Sequence, residues 1–142
     1  MHSHPLLQRF IDAQESDYAT ALAELRNGQK QSHWIWYIFP QVAGLGFSSM
    51  AQHFAIQSHA EATEFLNHPT LGARLIECTD ALLEHRGTPI ETIMGYPDDL
   101  KLRSSMTLFA AISDNDSPFH QVLNAFYQGK PDDKTLAFLE DH

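Results

Sequence analysis

Two short stretches of the chain hold residue types that do chemistry at usable spacing. The first is Ser32-His33-Trp34-Ile35-Trp36-Tyr37-Ile38-Phe39-Pro40-Gln41. His33 beside Ser32 is a candidate acid–base, because an imidazole with an ordinary pKa of about 6.5 gains and loses protons near neutrality. Trp34 and Trp36 are candidates to stack on a base or a sugar while each indole N–H donates one hydrogen bond. If the segment is extended, alternation sends Trp34, Trp36 and Ile38 to one side and His33, Tyr37 and Phe39 to the other. Gln41, Gly44 and Gly46 follow, and glycines permit a backbone to approach a ligand closely or simply to turn.

The second stretch is Asp98-Asp99-Leu100-Lys101-Leu102-Arg103-Ser104-Ser105. At the head of a helix, unpaired N–H groups together with Lys101, Arg103 and Ser104 would bind a phosphate. Asp99 would then activate water or steady an oxocarbenium-like centre, as carboxylates do in glycoside cleavage. The competing reading is local: Asp98 and Asp99 are what an N-cap and first turn call for, and the two cations are solvated.

Other chemistries find no support. No two of the nine histidines lie three or four apart and only one cysteine accompanies them, so no metal site is expected. Neither a Walker loop nor a dinucleotide glycine motif is present, since Gly44-Leu45-Gly46 lacks the third glycine, and no cofactor is expected. Ser104, Ser105 and Thr107 lack the Gly-x-Ser-x-Gly elbow of a hydrolase nucleophile. Cys78 sits among apolar neighbours and reads as inert packing.

The elements that must position these stretches are helical. Apolar residues recur at helical spacing through most of the chain, with caps and glycines at the ends. Pro5 opens a first helix with Leu6, Leu7, Phe10 and Ile11, and Ser16 precedes a second through Tyr18, Leu22 and Leu25. Ser48 or Ser49 caps a third through Met50, Phe54 and Ile56. Helices follow from His59 to Leu66, from Pro69 to near Gly87, and from the capping box Thr88-Pro89-Ile90-Glu91 to Gly95. The last three start at Asp98 or Asp99, at Ser117-Pro118 and at Asp132. The expected fold is all-α: a compact orthogonal bundle of about eight helices in one domain over 1–142, with an irregular aromatic segment at 33–47.

The bulk composition narrows the partners. With 142 residues and 43% hydrophobic content the chain can bury a core without staples. Its formal charge of −9 and its lack of a Lys/Arg cluster argue against duplex nucleic acid and anionic membranes. A single cysteine, no membrane-length apolar run and no secretory leader in Met1-His2-Ser3-His4-Pro5 point to the cytoplasm. Oligomeric state is not encoded in any of these features.

The string from Lys30 to Gln41 with Gly44-Leu45-Gly46 resembles the signature of a bacterial family known as domain of unknown function 1810, often labelled "calpastatin". The likeness continues through Glu61-Ala62, Leu66-Asn67-His68-Pro69, Leu71-Gly72, Arg74-Leu75 and Asp98 to Phe109. The resemblance implies a compact all-helical domain and no established reaction. The calpastatin label implies protease inhibition, but that inhibitor is disordered, whereas this sequence encodes a packed core.

In layout, Ser49-Met50-Ala51-Gln52-His53-Phe54 followed by Asp99 and Lys101 is also similar to NADAR-type hydrolases, which cleave N-glycosidic bonds of ADP-ribose derivatives and phosphorylated ribosyl intermediates. This likeness adds Gln52 and His53 to the candidate ligand-binding residues. The functional expectation is a cleft between the aromatic segment and the Asp98 helix, binding a nucleotide- or ribose-phosphate-like ligand and hydrolysing an N-glycosidic bond, with Asp99 and His33 as catalytic groups. A non-enzymatic ligand- or protein-binding regulatory domain is the alternative. The first expectation requires Trp34, Gln41, Gln52, His53, Asp99 and Lys101 to converge.

Overall fold

A computed structural model describes residues 7–142. Within them the chain forms nine helices: α1 (Gln8–Arg26), α2 (Ile35–Ile38), α3 (Ser49–His53), α4 (His59–Asn67), α5 (Leu71–Leu83), α6 (Ile90–Met94), α7 (Asp98–Ala111), α8 (Pro118–Tyr127) and α9 (Asp133–Asp141). The only sheet-like pairing among the described residues is an isolated parallel bridge between Val42 and Ile56. No helix among them is long and apolar enough to cross a membrane. The all-α expectation holds. Pro5 and Leu6, expected at the start of the first helix, lie outside the described residues, as does the segment Met1 to His4.

Side-chain caps set four of the helix starts. Ser48, Ser58, Ser117 and Asp132 each accept a hydrogen bond from a first-turn N–H, of Ala51, Glu61, His120 and Thr135, satisfying one of the donors a helix start leaves open. At the start of α5 an imidazole does this work, with His68 Nδ1 accepting from the N–H groups of Thr70 and Leu71 at 3.1 and 3.2 Å.

Several boundaries differ from the pattern-based expectation. The two helices expected around Ser16 are one, because the Ser16 hydroxyl bonds Asp17 rather than capping, and Gln14 is buried mid-helix with its amide donating to the Tyr37 carbonyl at 2.7 Å. α3 stops at His53, short of Phe54 and Ile56. There the chain extends so that the Ile56 N–H bonds the Gln41 carbonyl and the Ala43 N–H bonds the Ile56 carbonyl. The Thr88–Glu91 capping box does not form, and α6 starts after Pro89 without a side-chain cap.

Helix α5 packs against α1, α4 and α8, while α7 packs against α4, α8 and α9. α4 and α5 meet so tightly that a Cβ on Gly72 would lie 1.9 Å from the Leu66 carbonyl oxygen. The buried apolar residues form one cluster. A line of rings runs through it from Phe54 to Phe10, Phe65, Phe109 and Phe119, with centroids 5.0 to 5.7 Å apart. Tyr37 joins the line at Phe54, 5.2 Å away. That contact anchors the aromatic segment in the core and fixes where its other side chains go.

Candidate functional site

The aromatic segment is not extended. The Ile38 N–H bonds the Trp34 carbonyl and the Phe39 N–H bonds the Ile35 carbonyl, closing a helical turn. On a helix, side chains two apart diverge by about 200°, so Trp34 and Trp36 face different ways, contrary to the alternation expected of a strand.

Trp34 enters the core. It is fully buried, its ring centroid is 6.2 Å from that of Phe39, and its Nε1 donates to Glu24 Oε1 at 2.9 Å. Glu24 also accepts from the N–H groups of Gln31 and Ser32 and from the Ser32 hydroxyl at 2.6 Å. Partial burial alone would raise the Glu24 pKa, but these four hydrogen bonds outweigh it and hold the carboxyl down at about 2. Trp34 therefore has no open face on which to stack a ligand.

Lys30 ties this knot to the head of α7. Its side chain is only 5% exposed, and its Nζ lies 2.6 Å from Asp98 Oδ2 and 4.9 Å from the centre of the Trp34 ring. The Lys30 ammonium also donates to the Ser32 carbonyl. Asp98 thus serves as a partner for lysines rather than as a cap. Lys101, 28% exposed, adds a second, longer contact to Asp98 at 3.5 Å.

Trp36 points outward. Lys101 Nζ lies 5.1 Å from the centre of its ring, and the ring lines a shallow cleft with Gln41, Val42, Gly46, Ala51 and Phe54. The indole Nε1 is buried and has no hydrogen-bond partner in the protein. The free volume of the cleft is about 10 Å³, room for one water molecule. Gly46 has a structural reason to be glycine, since a Cβ there would lie 2.7 Å from the Ala51 Cβ. Gly44 has φ +91°, a conformation in which the turn favours glycine.

Of the expected site residues, Trp36, Gln41 and Lys101 come together. The others do not join them. Gln52 is exposed, with its amide donating to the Phe47 carbonyl at 2.8 Å, and His53 is exposed with its ring edge-on to Phe54. His33 is also exposed, and its carbonyl accepts from the Tyr37 hydroxyl.

The expected phosphate cradle is already occupied by the protein itself. The N–H groups of Asp99, Leu100 and Lys101 bond the carbonyls of Gly95 and Pro97 at 2.9 to 3.2 Å. The Tyr96–Pro97 bond that shapes this turn is cis. Arg103 donates to the carbonyls of Lys130 and Pro131, and the buried Ser104 hydroxyl donates to the Leu100 carbonyl. Asp99 is buried and does not line the cleft. Its Oδ1 has no hydrogen-bond partner, and its carbonyl accepts from the Tyr127 hydroxyl at 2.6 Å. Burial first, and the Asp99 charge second, raise the Tyr127 pKa.

Glu24 and Lys30 were not candidates on sequence grounds. Glu24 lies eight residues before Ser32 in an amphipathic helix, where a glutamate normally faces water, and nothing local marks it. Lys30 carried one signal only, its place at the start of the signature string.

Among the described residues the large hydrophobic side chains exposed to solvent are Phe47, Met50, Ile76, Tyr96, Leu100 and Leu136. Phe47, Met50 and Leu100 each adjoin in the chain a residue that touches Trp36 or lines its cleft (Gly46, Ala51 and Lys101), and Tyr96 stands two before Asp98. Phe47 and Tyr96 are the most open, at 86% and 78%.

Comparison with known proteins agrees with the family suggested by the signature string. No curated protein matches the chain. A crystal structure of the conserved hypothetical protein Rv1873 from Mycobacterium tuberculosis is similar over 96% of this chain and 97% of that one, at 46% identity and a TM-score of 0.93. The model of the family described as "Protein of unknown function (DUF1810)" matches residues 4–139, nearly the whole length, and the chain belongs to that family.

Proposed function

We propose that the domain is a non-enzymatic binding module that recognises a partner protein through the face around Trp36. The observation that carries this reading is a half-buried Trp36 beside a cleft of only about 10 Å³, with exposed Phe47 and Met50 next in sequence to the cleft residues Gly46 and Ala51. Pockets for small ligands usually offer about 300 Å³ or more. Aromatic and methionine side chains are enriched at protein-binding surfaces. The hydrolytic alternative draws less support, because Asp99 is buried away from the cleft and the N–H groups and Arg103 that would hold a phosphate bond carbonyls of the chain itself.

A photoreactive phenylalanine analogue placed at Phe47, with the same analogue at exposed Ile76 on α5 as control, tests the reading. The expected result is one adduct, identified by mass and reproduced with the purified partner, from position 47 and not from 76. Release of base from ADP-ribosylated nucleosides or riboside phosphates, abolished by Asp99→Asn in a folded protein, would overturn it in favour of hydrolysis.

A further inference from the structure

We propose that the domain carries a second binding site, a groove between the α5–α6 connection and α8 that takes a small monocarboxylate bearing an aromatic or branched apolar group. The groove has a free volume of about 210 Å³ and is lined by Gly87, Thr88, Pro89, Ile90, Ala125 and Phe126. It shares no lining residue with the Trp36 cleft, so it stands independently of the partner reading. Pockets for drug-sized ligands usually start at about 300 Å³. This groove therefore suits one ring or one branched chain rather than a nucleotide. Pro89 and Ile90 supply apolar contact from the connection, and Ala125 and Phe126 supply it from α8, where Ala125 is exposed and Phe126 is half-buried.

The charge comes from Arg86, the residue before Gly87. Its Nη2 donates to Gln121 Oε1 at 3.0 Å. Gln121 lies one turn before Ala125 on the same face of α8, so this bond carries the guanidinium across from the connection to the α8 wall, at the Gly87 end of the groove. One hydrogen bond leaves most of the five guanidinium donors open. No carboxylate lies within ion-pair distance of Arg86 among the described residues. A planar guanidinium with free donors pairs with a carboxylate through two parallel hydrogen bonds. Thr88 lines the groove, and its hydroxyl has no hydrogen-bond partner among the described residues. Apolar walls with a few placed polar groups are the composition of a small-ligand site.

Charge also limits the ligand to one carboxylate. Glu84 and Glu91 are exposed and flank the connection in sequence, and the whole chain carries −9. The first carboxylate of a ligand meets Arg86, whereas a second finds no further cation in the lining and faces that acidic excess.

Nitrogen–proton correlation NMR of the full chain, titrated with phenylacetate, isovalerate, phenylacetamide and phenylsuccinate, tests the proposal. Saturable shifts centred on the amides of Gly87, Thr88, Ile90, Ala125 and Phe126 are expected from the two monocarboxylates at millimolar concentration. Phenylacetamide and phenylsuccinate should bind at least about fivefold more weakly than phenylacetate. Arg86→Gln should remove the preference for the acid over the amide without changing binding of the amide. Ala125→Trp, at an exposed position of α8, should fill the groove and abolish the shifts with the folded spectrum kept, and Ala125→Leu provides the same block with less bulk. Equal binding of acid and amide, or a preference that survives Arg86→Gln, would overturn the role of the carboxylate. No saturable shift in the groove at about 10 mM ligand, or shifts centred on Trp36, Gly46 and Ala51 instead, would overturn the site itself. Binding of a short peptide ending in Phe with a free carboxylate, when neither small acid binds, would make a chain terminus the occupant and overturn the proposal as well.

Discussion

Trp34 and Trp36 are separated by one residue and share a helical turn, yet the chain treats them in opposite ways. Trp34 is fully buried, with its indole N–H bonded to Glu24 and its ring under the Lys30 ammonium. Trp36 is half-buried, with its N–H unpartnered and its ring under a lysine that is partly exposed. The two sites repeat one motif, a lysine over an indole beside Asp98, but only the inner copy is completed by an acceptor. A polar group closed by the protein contributes to folding, whereas a buried one without an acceptor carries its desolvation cost. The inner copy thus contributes more to the fold than the outer one.

If this division is right, the largest effect of any single truncation in the segment falls on the inner ring. Trp34→Ala removes a fully buried aromatic and leaves the Glu24 acceptor short of a donor, and should cost about 3–5 kcal/mol. Trp36→Ala should cost less than half of that. Urea unfolding of the two variants measures both, and equal losses would erase the distinction.

The next effect belongs to the ion pair that joins the copies. Asp98→Ala leaves the Lys30 ammonium, 5% exposed, without its carboxylate. Stranding a buried charge costs about 3–5 kcal/mol, and because Asp98 is itself 18% exposed, a loss of about 2–3 kcal/mol is expected. Lys101→Ala, on the outer copy, should change unfolding free energy by less than about 1 kcal/mol. A larger loss for Lys101 than for Asp98 would show that the outer copy is the structural one.

Much of the fold was legible in the residues themselves. Helical periodicity with Ser48, Ser117 and Asp132 at the starts reflects local forces, and those helices start where the pattern puts them, although the one after Ser48 stops short of Phe54 and Ile56. The aromatic segment was not legible, because an unbroken apolar run has no period. Its helical turn follows from tertiary contacts such as Tyr37 against Phe54. The candidate site was half legible for the same reason. Trp36, Gln41 and Lys101 meet, but Glu24 completes Trp34 from another helix, and the carbonyls of Gly95 and Pro97 take the N–H groups that a phosphate would need. Such pairings depend on how the chain turns between elements, which spacing does not record.

A pH titration separates the copies by a smaller margin. The Glu24 carboxyl is held at about 2, well below its ordinary 4.5. Between those values the unfolded chain takes up a proton that the folded chain refuses, so the Glu24 contribution is full above about pH 4.5 and is lost as pH falls toward 2. Glu24→Gln keeps the shape but not the charge. It should cost about 1–3 kcal/mol near neutrality and flatten the acid loss relative to the parent chain. A variant whose acid profile superimposes on the parent's would show that Glu24 does not hold the inner copy together.

The smallest effect is expected where the outer ring is changed conservatively. Trp36→Phe removes an N–H that has no acceptor in the protein and keeps a ring against Lys101. Deleting an unsatisfied buried donor returns its desolvation cost and offsets the lost ring area, so the change in stability should stay within about 1 kcal/mol of zero. Fluorescence gives the complementary test. In Trp34→Phe the remaining emission comes from Trp36 and should be quenched readily by acrylamide, whereas in Trp36→Phe the emission from Trp34 should resist quenching until the chain unfolds. Equal quenching of the two variants, with both folded, would mean that the indoles share one environment and that no outer copy is left open to a partner.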